Sequence, residues 1–214
     1  HKWEEAFTRA PRYKVYIGWL ILFVGASVLH TLRFMFIDYG IKEIGLSKEL
    51  ASFLSGSLAG FMAIGSLISA FYIKFLERKR VFTIIGLLTP IALSIILITN
   101  NSYLLLMSFL FLGLVSGFGY FFGLYYALAD QENSTSNVAV NEALTGIAAL
   151  IMPFIFGYIA SNLSYFMAFL FMMIISLICY TIAIYTMWQK KRTAMLKEKF
   201  NNLVKRIDDN YRNK

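Results

Sequence analysis

The sequence predicts an all-α, polytopic membrane protein: six transmembrane helices forming one bundle, followed by a cytoplasmic amphipathic helix. Three observations carry this. Of 214 residues, 58% are apolar and only 15% charged, whereas a soluble domain has about a quarter charged; lipid must be the solvent for much of such a chain. The apolar residues fall into six stretches, each of roughly 20 residues or more, enough for a helix to cross about 30 Å of hydrocarbon. Seventeen of the twenty Lys and Arg lie in residues 1–14, 74–80 and 190–214, segments that a six-span layout places on one side of the membrane.

The stretches run over residues 15–37, 50–76, 80–99, 102–129, 138–160 and 163–188. Their connections are short, which forces neighbouring helices antiparallel. Residues 1–14 read as a cytoplasmic linker, 15–188 as the bundle and 189–214 as a basic tail. The side rich in Lys and Arg faces the cytoplasm, so both termini are expected there, with an inner (plasma) membrane as the location. The connection 130–137 has no Lys or Arg and contributes nothing to this orientation. In the tail, Leu196, Phe200, Leu203, Val204, Ile207 and Tyr211 share one helical face while Lys197, Lys199, Lys205 and Arg206 occupy others, a pattern suited to an anionic leaflet or the bundle's cytoplasmic end. The bilayer is thus the first partner. The net charge of +8 is confined to alternate loops, which argues against nucleic acid.

Small residues form stripes: Ser52, Gly56 and Gly60; Gly113 with Gly117; Gly119 with Gly123; and Thr145, Gly146, Ala149, Pro153 and Gly157. Small side chains let helix backbones approach closely, which holds a bundle together in lipid. Pro90 and Pro153 stand inside apolar runs, where each removes a backbone donor. Ionisable groups at membrane depth are functional candidates by default, and here they are His30 and Arg33, one turn apart toward the outer end of the first helix. Arg33 can draw in an anionic or polar solute with His30 beside it; it can also snorkel outward or pair with Asp38. Tyr120 is the polar tip on a small-residue face of the fourth helix. Asn141 and Glu142 read as residues that open the fifth helix. No Asp or Glu lies near mid-membrane, so these helices offer no carboxylate for proton coupling. Cys179 is alone in an apolar run and reads as a structural thiol. Neither a metal nor a cofactor is expected, and the nucleophile and ligand patterns of membrane enzymes are missing.

This order of features resembles the carboxy-terminal half of a major facilitator superfamily transporter. The run Ser69-Ala70-Phe71-Tyr72-Ile73-Lys74-Phe75-Leu76-Glu77-Arg78-Lys79-Arg80 is similar to a degenerate copy of the family's Gly-x-x-x-Asp-Arg-x-Gly-Arg-Arg signature. Lys74, Arg78 and Arg80 match in character, with Ile73 in place of the Asp and Leu76 in place of the Gly. The run from Gly113 to Gly123 resembles the family's glycine-rich tenth helix, and that from Gly146 through Pro153 to Gly157 its eleventh. The resemblance implies a secondary or facilitative transporter of a small polar or anionic organic solute, working by alternating access between two six-helix halves. It implies that His30, Arg33 and Tyr120 border the cavity, and that the glycines, Pro153 and the basic cluster serve packing and conformational change. A chain that opens on His1 is expected to be a second half, completed by an amino-terminal half in the same gene product or a second chain. The other reading is a non-transporting receptor or scaffold with a basic tail.

Overall fold

The computed structural model describes residues 12–72, 79–130 and 132–212, with only the backbone described for 79–80, 190–192 and 194–212. Six helices follow in order: α1 Arg12–Lys42, α2 Lys48–Phe71, α3 Lys79–Ile98, α4 Ser102–Ala129, α5 Ser134–Asn162 and α6 Tyr165–Arg212. Each contains a window long and apolar enough to span a bilayer. The chain is a polytopic, multi-pass membrane protein.

Local chemistry sets the boundaries. Helix α1 runs five residues beyond the expected end at 37, because Lys42 pairs with Asp38 at 2.8 Å one turn back and supplies a cation at the helix carboxyl end. Gly45, at φ 76, then reverses the chain, and Leu46 N–H donates to the Gly40 carbonyl at 2.8 Å. Ser47 caps α2 by accepting from Leu50 N–H at 3.2 Å, and Asn101 caps α4 by accepting from Tyr103 N–H at 2.9 Å. Helix α5 begins at Ser134, earlier than its apolar run suggests. Helix α6 continues unbroken for 48 residues, straight through the change from apolar to amphipathic sequence near 189.

Burial separates inner from outer helices. The apolar windows of α1 and α4 are 61% and 56% buried, those of α2 and α5 only 28% and 22%. Around the central α1–α4 pair the contacts repeat. Helix α2 lies on α4 as α5 lies on α1, α3 touches α4 as α6 touches α1, and α1–α2 matches α4–α5. Exchanging the first three helices for the last three therefore maps these pairings onto one another, the mark of two three-helix repeats.

The closest approaches occur where glycine removes the side chain. A Cβ on Gly117 would run into the Met62 carbonyl and lie 2.7 Å from Ser66 N, and Ser66 Oγ donates across this contact to the Gly117 carbonyl at 3.1 Å. Between α1 and α4, Ser116 Oγ donates to the Gly25 carbonyl at 2.9 Å. These contacts lock α1, α2 and α4 into one body.

Candidate functional site

The α1 residues Leu22, Ala26, Leu29 and His30 follow a helical ridge, one face of α1. They meet Ser116 and Tyr120 of α4, Met62 of α2 and Thr145 of α5 around a cavity of about 40 Å³. Met62 reaches it because the α2 backbone rests on Gly117. Two of the polar groups are already engaged: Ser116 as above, and Thr145, whose Oγ1 donates to the Asn141 carbonyl at 3.0 Å. No hydrogen bond among the described residues uses the His30 ring or the Tyr120 hydroxyl. The cavity is thus an apolar chamber with two free polar tips, large enough in this conformation for a few water molecules and far below the ~300 Å³ at which organic-ligand pockets begin.

The structure brings His30 and Tyr120 together and leaves Arg33 outside the lining. Arg33 is exposed, one turn further along α1 and next to the exposed Phe34; its carbonyl accepts from Ser55 Oγ at 2.7 Å. Asp38 is held by Lys42 and by the Tyr165 hydroxyl rather than by Arg33. Of the small-residue positions, Gly113, Gly117 and Gly123 sit at helix contacts, and Met35 Sδ lies 3.5 Å from where a Gly157 Cβ would stand; around Gly56, Gly60 and Gly146 no described atom of another element lies within 4 Å of where a side chain would begin. Pro153 is buried within a continuous α5. Lys74 and Arg78 lie outside the described residues, and Arg80 is described only by its backbone in α3.

Asn141 is a correction. The early start of α5 puts it two turns inside the helix, fully buried at 0% exposure and not at the opening turn. Neither carboxamide atom has a hydrogen-bond partner among the described residues. Its Oδ1 lies 2.6 Å, and the Leu22 Cβ 3.1 Å, from where a Gly123 Cβ would stand, so the carboxamide sits where Gly123 and Leu22 meet. The sequence signal for it is a recurrence every four residues, Asn133, Asn137, Asn141 and Thr145. A second cavity, of about 230 Å³, opens at the start of α1 and α5 between Arg12, Val15, Tyr16 and Trp19 on one wall and Asp130, Asn133, Ser136 and Asn137 on the other. There Asp130 accepts from the amides of Asn137 at 3.1 Å and Asn133 at 3.4 Å.

The family model of the Major Facilitator Superfamily matches residues 3–208, nearly the whole chain. The chain belongs to the Major Facilitator Superfamily. Its six apolar helices, paired as two three-helix repeats, are those of one half of a major facilitator fold. Members of this superfamily are membrane transporters rather than enzymes. A comparison with curated proteins finds no match to the chain.

Proposed function

We propose that this chain forms one half of a secondary or facilitative carrier that moves a small polar or anionic organic solute by alternating access. The observation that carries the reading is the chamber shared by α1, α2, α4 and α5, in which the His30 ring and Tyr120 hydroxyl are the free polar groups. An apolar pocket with a few placed polar groups is the usual form of a small-molecule site. Arg33, exposed one turn outward, supplies the positive potential that attracts an anionic group toward it. The chamber's small volume fits a conformation that is closed around this site.

The open small-residue faces of α2 and α5 support the second half of the reading. At Gly56, Gly60 and Gly146 no other described helix comes within 4 Å of where a side chain would begin, which suits close packing against an amino-terminal six-helix half. Because α1, α2 and α4 are locked by direct backbone contacts, these three helices move as one body against the other half. The Lys and Arg distribution favours both termini on the cytoplasmic side of the plasma membrane. Coupling resides in the other half or at His30, or transport is facilitative.

The deciding experiment is a solute screen with the full-length gene product in proteoliposomes. Saturable uptake of a polar or anionic organic solute, lost in Arg33→Ala and lowered about tenfold in Tyr120→Phe, is the expected result. A protein that folds and inserts yet moves no solute across a broad panel overturns the proposal in favour of a receptor or scaffold.

A further inference from the structure

The two cavities lie along one seam. Helices α1 and α5 contact one another and, with four connections between them, cross in the same direction. The row Asn133, Asn137, Asn141 and Thr145, which begins at the residue capping α5, supplies both: Asn133 and Asn137 line the outer, polar cavity and Thr145 lines the inner chamber. On α1, Val15 and Trp19 belong to the outer cavity, and Leu22 and Ala26 to the inner one. Asn137 and Thr145 are about 12 Å apart along the helix axis, and midway between them is Asn141.

A fully buried carboxamide with both ends unpaired is rare in folded proteins, because the water it loses is not replaced. An apolar residue of similar size fits a static contact against Leu22 and Gly123 at lower cost. From this we infer that the α1–α5 seam is the polar route by which water, and the solute's polar end, reaches the His30–Tyr120 chamber from the end of the bundle where α1 and α5 begin. Asn141 is the residue that seals this route when Leu22 lies against it. When α1 and α5 part there, the carboxamide gains water and the outer cavity, Asn141 and Thr145 become one hydrated channel.

The inference rests on the transport reading of the chamber, but its test needs no solute, so the two fail separately. In a Cys179→Ala background, the full-length protein carries Asn137→Cys, Asn141→Cys, Thr145→Cys or Ala148→Cys, one at a time. Each is exposed to a membrane-impermeant maleimide in vesicles of known sidedness. Ala148, also 0% exposed on α5, is the buried reference. Expected is labelling at 141 and 145 from the same face as 137, at least about tenfold faster than at 148, a difference of ~1.4 kcal/mol in opening. Asn141→Leu combined with Thr145→Cys is expected to slow labelling at 145 about tenfold while the melting temperature holds or rises. Labelling at 141 and 145 no faster than at 148, or only from the opposite face, overturns the inference. So does an Asn141→Leu protein that melts lower while Thr145→Cys labels as before, since that is the behaviour of a merely structural amide.

Discussion

At the scale of single residues, what matters is whether a position faces backbone, cavity or open space. Gly117 and Gly146 have the same side chain and opposite surroundings. Any side chain at Gly117 meets the Met62 and Ser66 backbone, which cannot retreat as a flexible side chain can. Gly117→Val is therefore expected to cost more than about 3 kcal/mol by overpacking and to abolish the monodisperse peak in detergent. Gly146→Ala, with nothing within 4 Å, is expected to leave the melting temperature unchanged or raise it slightly through helix propensity, about 1 kcal/mol at most. Tyr120 is a third case. Its ring packs in the chamber wall, but no hydrogen bond among the described residues uses its hydroxyl. Tyr120→Phe should keep the fold and lower uptake of the transported solute about tenfold, the effect of one lost hydrogen bond to a polar ligand; unchanged uptake would remove Tyr120 from the site.

At the scale of helices, the connection between repeats can be tested at Tyr39. This residue of α1 is buried, and its ring lies 5.0 Å from those of Tyr165 and Phe169 of α6. Its hydroxyl donates to the α3 carbonyls of Ile96 at 3.3 Å and Leu97 at 3.4 Å. One side chain thus ties α1 to α3 and α6. Tyr39→Ala is expected to destabilise the bundle by about 3–5 kcal/mol, and Tyr39→Phe by about 1 kcal/mol, both read by thermal unfolding in detergent. The neighbouring Asp38–Lys42 pair has side chains 50% and 65% exposed, so Asp38→Ala should cost under about 1 kcal/mol. Equal costs at Tyr39 and Asp38 would show that aromatic packing is not what holds this end together.

For the whole molecule, the expectation concerns what lies against α2 and α5. Gly56 and Gly60 are exposed, and among the described residues no atom outside their own helix turn lies within 4 Å of where their side chains would begin, so Gly56→Leu and Gly60→Leu should leave this six-helix bundle folded. In the complete carrier the same changes should separate the halves. The measurement is co-purification of the two halves expressed as split fragments. Retained pairing in the double variant would place the contact elsewhere. The pairing of three-helix repeats around α1 and α4 gives a reason for this geometry: each repeat buries its first helix and leaves the second half-covered, so two incomplete faces remain for a partner.

The number of spans and the class of fold are legible in the sequence because they depend on solvent alone. A run of apolar residues long enough to cross hydrocarbon must satisfy its backbone internally, and a helix is the way to do so; the stretches around Trp19, Phe118 and Met172 need no knowledge of their neighbours to be read this way. The connections at Gly45 and Asn101 are local in the same sense. The chamber is not local. His30 and Tyr120 are ninety positions apart, and the depth at which α2 settles on Gly117 brings Met62 to the chamber they line. Asn141 shows the limit most clearly. Four polar residues before the apolar run lengthen α5 by a turn, and that turn carries an apparent helix-start residue into the interior. Composition fixes which segments leave water; the register between helices, set by where glycine permits contact, decides which side chains meet once they have.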